Sequence, residues 1–145
     1  MADARRQIET LRFGTITVSD DEIVDIPDGV PGFPEFQRCV LVPVDQAMFW
    51  WLQSTEDPEL AFLSVVPWPF FPDYEPEVPA GEQDVLGLSD PGDALVLCLV
   101  TVHRDPDRFT ANLLAPVVVN QSSRRARQIV LDQDLPSQAE LTPPE

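Results

Sequence analysis

The chain has 145 residues, enough for one domain, and 43% of them are hydrophobic, which excludes a disordered acidic tail. A formal net charge of −16 excludes a surface suited to direct binding of RNA, DNA or anionic membranes, because affinity for these comes mostly from Lys and Arg. Eleven acids and no Lys or Arg lie between Arg38 and Arg104. A basic protein is therefore the expected partner, since opposite charges speed an encounter, although an acidic surface also serves solubility alone.

No signal peptide or membrane span is predicted. Residues 1–6 lack the apolar core of a signal peptide, and the longest apolar run, residues 94–100, is far too short to cross a bilayer. Cys39 and Cys98 lie in apolar runs without metal-binding spacing, which predicts small buried thiols, and a bridge between them is the alternative. We expect a soluble protein of the cytoplasm.

Short strands separated by turns are predicted along the chain. The first covers residues 11–18, and its apolar phase slips at Gly14, where a bulge would account for the slip. A short strand follows at residues 23–26, and then the dense Pro and Gly of residues 27–34 predict a shaped loop. The remaining predicted strands cover residues 39–42, 49–53, 60–66, 95–103, 112–119 and 128–131.

The sixteen prolines leave little room for helices, because each interior proline costs about 3 kcal/mol there. One short helix is predicted at residues 81–88, and residues 55–59 are predicted to form a hairpin loop. Residues 1–7 and 133–145 are predicted to be frayed tails. The pattern predicts an all-β fold: a small, antiparallel, β-barrel-like single domain with at most one or two short helices, a sandwich being the alternative.

Few residues have the spacing of a catalytic or metal site. His103 is the only histidine, and no Gly-x-Ser-x-Gly motif accompanies it. The carboxylate pairs near residues 20–22, 105–107 and 132–134 lack the glycine and the spaced oxygens of a calcium loop. The six glycines form no phosphate-binding pattern. We expect no catalytic residue, no metal and no cofactor, with a carboxylate-based enzyme as a remaining alternative.

The segment at residues 66–74 contains four aromatic residues and three prolines. Its prolines prevent it from continuing a central strand, so we expect it to run along an edge or over the surface. Its aromatic side chains either form a protein interface or cap one end of the core, and both interpretations are open. The polar ends of Asp73 and Tyr74 favour the interface. Seven acids and no base lie between Asp73 and Asp93.

Several segments together resemble, in order and spacing, the family of flagellar assembly factors called FliW, over roughly residues 8–132. They are residues 27–36 (PDGVPGFPEF), 51–54 (WLQS), 56–58 (EDP), 60–62 (LAF), 70–74 (FFPDY), 110–120 (TANLLAPVVVN) and 127–131 (RQIVL). The chain departs from the family pattern at residues 134–138, where members tend to carry a Tyr and an Arg near an apolar end.

The resemblance implies a small β-barrel-like domain without catalytic activity and with two alternative protein partners. One partner is flagellin, held in the cytoplasm before export. The other is CsrA, a small basic RNA-binding repressor of flagellin translation, which the released protein would bind and inhibit. An acidic nucleic-acid mimic or adaptor for another basic protein is the alternative. We expect a monomer.

The residues expected to contact a partner come from the hairpin, the aromatic and acidic segment and the closing strands. They are Gln53, Ser54, Asp57, Phe70, Phe71, Asp73, Tyr74, Glu75, Glu77, Asn112 and Asn120. The aromatic residues of this set are expected to bind flagellin, and the acidic residues are expected to bind CsrA.

Overall fold

A closed barrel of seven strands forms the centre of the structure, a computed structural model that describes residues 5–44, 49–104 and 108–141. The strands are β1 Arg5–Thr10, β2 Gly14–Ser19, β3 Ile23–Asp25, β4 Arg38–Val44, β5 Phe49–Ser54, β6 Ala61–Val65, β7 Ala94–His103, β8 Arg108–Ala111, β9 Val117–Asn120, β10 Arg125–Gln128 and β11 Ala139–Glu140. One α-helix, α1 at Ala80–Leu86, and two short 3-10 turns, Asp20–Glu22 and Pro91–Asp93, accompany them. The predicted all-β, barrel-like fold with few short helices is confirmed.

The barrel closes where its last strand meets its first. Strands β3 to β7 pair in sequence order, β7 pairs with β9, and β9 pairs with β10, all antiparallel. Strand β10 then meets β3 through one parallel pairing, Arg125 with Asp25. This parallel contact differs from the predicted antiparallel pattern. Arg124 turns the chain at this point with a φ of 60°, and its carbonyl accepts a hydrogen bond from the Asp25 amide.

Alternate residues of each strand fill the barrel interior, because successive side chains of a β-strand point to opposite faces of the sheet. On β7, Leu97 points into the interior cluster, whereas Val96 and Cys98 belong to a second cluster on the outside. Cys39 lies in the interior cluster. Both thiols are free and buried, on opposite faces of the barrel wall, so no bridge joins them. Burial raises the pKa of each thiol to about 12.

The proline- and glycine-rich loop before β4 plugs one end of the barrel. Val30 and Phe36 are buried in the interior cluster. The rings of Phe33 and Phe36 both contact the ring of Phe62 edge-on, at centroid distances of 5.1 and 4.9 Å. Val30 and Phe33 also exchange backbone hydrogen bonds, of 3.3 and 2.8 Å. The predicted shaped loop is therefore part of the core.

Two predicted strands are interrupted by side-chain hydrogen bonds. Residues 11–18 do not form one bulged strand, because Thr10 Oγ1 accepts from the Phe13 amide and donates to the Gly14 carbonyl, which makes a turn between β1 and β2. The predicted strand 112–119 is shortened to β9, Val117–Asn120, since the Asn112 side chain accepts from the amides of Leu114 and Ala115 and holds a turn between β8 and β9. The last predicted strand, 128–131, is shifted, because β10 ends at Gln128.

Parts of the two predicted frayed tails pair with neighbouring strands in the residues that the structure describes. Residues 5–7 pair with β2, and Ile8 of the same hairpin packs against Val18 and Val40 outside the barrel. At the other end, β11 pairs with β8. Helix α1, close to the predicted position, packs Leu86 against the outer side chains of β9 and the chain after β10. No helix of the described residues is long and apolar enough to cross a lipid bilayer.

Replacing Gly29 with alanine is expected to lower the free energy of unfolding by roughly 3 kcal/mol or more. A Cβ there would lie 2.7 Å from the Phe33 carbonyl oxygen and 2.8 Å from Cα of Pro34, with no flexible side chain to yield. Gly32→Ala is the matched control, in the same loop and also at positive φ, but with nothing within 4 Å. It should cost only about 1–2 kcal/mol. Urea denaturation measures both, and equal losses would contradict the packed plug.

Candidate protein-binding face

The chain leaves the barrel after β6 in a tight turn that begins at Pro67. Pro67 is fully buried, and its carbonyl accepts hydrogen bonds from the amides of Phe70 and Phe71, at 3.0 and 2.8 Å. The Tyr74 amide donates to the Phe71 carbonyl at 3.0 Å. Prolines with fixed φ and these bonds hold residues 67–78 over the outside of the barrel. We call residues 67–78 the aromatic–acidic segment.

Tyr74 anchors this segment to the barrel. Its side chain is only 6% exposed, and its hydroxyl donates a 2.7 Å hydrogen bond to the carbonyl of Leu113. Burial raises the pKa of the phenol well above its usual range. The indole of Trp68 donates to the Tyr74 carbonyl at 2.9 Å. Nearly all of the surface of Tyr74 is therefore used inside the fold, and its contact with a partner stays a prediction.

The other aromatic side chains of the segment divide between core and surface. Phe70 and Phe71 are half-buried against the outer cluster, and Phe70 meets Phe49 edge-on at 5.8 Å. Trp68 remains 39% exposed. Part of the segment therefore packs on the core, as one interpretation predicted, and its role as an interface stays a prediction. Trp68 and the outer edges of the two phenylalanines are the aromatic surface that it presents.

The three acids of the segment point into solvent from a fixed backbone. Asp73, Glu75 and Glu77 are exposed. The side chain of Gln133 accepts from the Glu77 amide at 2.7 Å and donates to the Glu75 carbonyl at 3.1 Å. This clamp comes from the part of the chain that was predicted to fray. It fixes the course of the backbone and leaves the carboxylates free.

A cleft of about 380 Å³ opens between the aromatic–acidic segment and the region of α1. Its walls are mainly apolar, from Trp68, Tyr74, Val78 and Leu88, and the acids Glu75 and Asp90 also line it. The sequence analysis missed the cleft, because its residues come from three parts of the chain. The acidic stretch from Asp73 to Asp93 was the sequence signal that lay near it.

Three predicted contact residues instead shape the loop between β5 and β6. Gln53, fully buried, donates from Nε2 to carbonyls of this loop, including that of Ser54 at 3.1 Å. Ser54 Oγ accepts from the amides of Glu56 and Asp57, at 3.1 and 3.0 Å. Asp57 is exposed, although one of its carboxylate oxygens accepts from the Glu59 amide. Of the three, Asp57 alone keeps surface for a partner.

The two predicted asparagines also have roles inside the fold. Asn112 Oδ1 accepts from the amides of Leu114 and Ala115, at 3.1 and 3.0 Å. Asn120 is buried, and its side chain donates to the carbonyl of Leu86 at 2.8 Å, which ties the end of α1 to β9. Neither side chain points freely into solvent, and Asn112, half-buried, keeps the larger exposed part.

The side chain of His103 lies beside a buried hydroxyl. Its Nε2 is 2.9 Å from Oγ1 of Thr110, which is only 3% exposed. A substrate could not reach that hydroxyl without opening the hairpin of β7 and β8. Within the described ranges, no group of three His, Cys, Asp or Glu side chains is placed to hold a metal ion.

A model of the FliW protein family matches residues 7–141, almost the whole chain. The chain belongs to the FliW family. The flagellar assembly factor FliW of Moorella thermoacetica is 39% identical over 128 residues, which are 87% of this chain and 81% of that protein. That of Geobacter sulfurreducens is 38% identical over 86% of this chain and 79% of its own. A crystal structure of the flagellar assembly factor FliW superposes with a TM-score of 0.85 at 30% identity, covering 95% of this chain and 98% of that one.

Removing the Tyr74 hydroxyl tests the anchor of this FliW-family face. Tyr74→Phe is expected to lower the free energy of unfolding by about 1–2 kcal/mol, because the buried Leu113 carbonyl loses its donor. Thr101→Val is the control, since Thr101 is exposed and its change should stay within about 0.5 kcal/mol. Chemical denaturation measures both. A Tyr74→Phe variant of unchanged stability that binds partners more weakly would instead place the hydroxyl at an interface.

Proposed function

We propose that the chain is a cytoplasmic flagellar assembly factor that binds flagellin before its export. Its relatives in the FliW family carry the name of flagellar assembly factors. The aromatic surface of Trp68, Phe70 and Phe71 supports this proposal, because their backbone is held by the Pro67 turn and the Tyr74 anchor. Rigid aromatic side chains contribute most to many protein interfaces, since little entropy is lost when they bind.

The second half of the proposal is that the protein, once released from flagellin, binds the repressor CsrA and antagonises its binding of RNA. The observation that carries this half is the exposure of Asp73, Glu75 and Glu77 on a fixed backbone, in a stretch of sequence that has no Lys or Arg. Such a surface attracts a basic protein and repels its RNA. Export of flagellin would thereby control its translation.

The proposed activity is binding alone, by one copy of the chain, without catalysis, cofactor or metal. The net charge of −16 opposes self-association at low salt. The side chain of His103, the only histidine, lies beside a buried hydroxyl. The two partners differ in the chemistry that they would use: aromatic contacts for flagellin, and charge for CsrA.

The proposed binding of CsrA through acidic side chains predicts a specific kinetic result. Neutralising Asp73, Glu75 and Glu77 to Asn, Gln and Gln should slow association with CsrA about tenfold at low salt, because exposed charges act mainly on the encounter rate. Raising the salt from about 0.05 to about 0.5 M shortens the screening length from about 14 to about 4 Å and should slow the wild type similarly. Stopped-flow mixing measures both.

Calorimetry should show one-to-one binding of flagellin, and the triple change should leave the affinity for flagellin within about twofold.

The matched control neutralises three exposed acids elsewhere, Glu35, Glu56 and Glu59, each to Gln. It should slow CsrA association much less than the triple change in the segment. An association rate with CsrA that changes neither with salt nor with the triple change in the segment would contradict the proposed role of charge. Failure of the wild type to bind flagellin would contradict the first half. Capture of a different basic protein, with CsrA ignored, would favour an acidic adaptor of another system.

A further inference from the structure

The cleft beside the aromatic–acidic segment lies where two packing clusters meet. Tyr74 and Val96 belong to the cluster over β7 and β8, whereas Val78 and Leu88 belong to the cluster under α1. The two clusters leave a gap of about 380 Å³ between them. This is near the lower limit of ligand pockets, so it suits one long side chain and not a packed helix or strand.

The cleft combines an aromatic wall with uncompensated negative charge. Trp68 contributes an indole that is 39% exposed. Glu75 and Asp90 contribute exposed carboxylates, and the described residues from 49 to 93 contain no Lys or Arg. Arg127, on β10, is within 3.1 Å of Asp28 and 3.0 Å of Glu82, so its charge is already engaged by two other acids.

We infer that this cleft receives a single arginine or lysine side chain from a basic protein partner. The aliphatic stem of such a side chain would cover the apolar wall formed by Val78 and Leu88. Its cationic end would meet the face of Trp68 and the carboxylates of Glu75 and Asp90. A neutral side chain would gain no attraction from those charges, and an acidic side chain would be repelled by them. The charge of the walls therefore selects a cation.

That the partner is basic rests on the proposed function. The cleft adds a site at which one side chain of that partner would be bound. It also separates two roles of charge. Asp73 and Glu77, outside the cleft, act on the rate of encounter, whereas Glu75 and Asp90 would also hold the cation in the cleft and so act on the lifetime of the complex. Changes in the cleft should therefore appear in the dissociation rate.

The test uses a peptide probe and the whole partner. The probe is a terminally blocked pentapeptide with one central arginine, and its matched twin carries neutral citrulline at that position. Titration of the labelled protein, followed by the NMR signal of the Trp68 indole N–H, should show about fivefold weaker binding of the twin. Glu75→Gln with Asp90→Asn should remove this preference. The Asn side chain can still accept from the Gly92 amide, as Asp90 Oδ1 does at 2.9 Å.

The same double change should raise the dissociation rate of CsrA about tenfold, whereas the control pair Glu35→Gln with Glu56→Gln should leave it within twofold. Equal binding of the arginine and citrulline peptides would overturn the inference. So would an unchanged lifetime of the CsrA complex in the double variant, and in that case the proposed function would stand. If the wild type did not bind CsrA, the proposed function would fail, and the peptide comparison would decide the inference by itself.

Discussion

The outer face of the barrel depends on one hydrogen bond, from the hydroxyl of Tyr74 to the carbonyl of Leu113. That carbonyl is available because a turn separates β8 from β9. In this turn the Asn112 side chain accepts hydrogen bonds from the amides of Leu114 and Ala115. A continuous strand would have engaged the same carbonyl in its ladder. The break in one strand thus supplies the attachment point for a segment that is 39 residues away in sequence.

Fixing Tyr74 fixes the neighbouring surface as well. Its carbonyl holds the indole of Trp68, and the clamp of Gln133 holds the backbone at Glu75 and Glu77. The aromatic and acidic side chains are therefore presented by a backbone that is already ordered, so a partner would not have to order it on binding. The same arrangement leaves the cleft open between the segment and α1, and places its acids beside an aromatic wall.

The sequence predicted what depends on local pattern. Strands β4, β5 and β7, the helix near residue 80 and the glycine- and proline-rich loop follow from apolar runs and turn residues that lie close together in the chain. It did not predict which polar side chains bond backbone carbonyls inside the fold. Gln53, Tyr74 and Asn120 were expected to contact a partner, yet all three are buried: Gln53 donates to carbonyls of its own loop, and Tyr74 and Asn120 donate to carbonyls far away in the sequence. Composition gives no sign of such partners.

We propose that residues 67–93 form a protein-binding face that is already ordered outside the barrel before a partner binds. Backbone hydrogen exchange of the chain, free and saturated with CsrA, tests it most directly. We expect slower exchange within residues 67–93 on binding, with the hairpin of β1 and β2, on another side of the barrel, unchanged. Protection confined to that hairpin, with residues 67–93 exchanging as in the free protein, would contradict it.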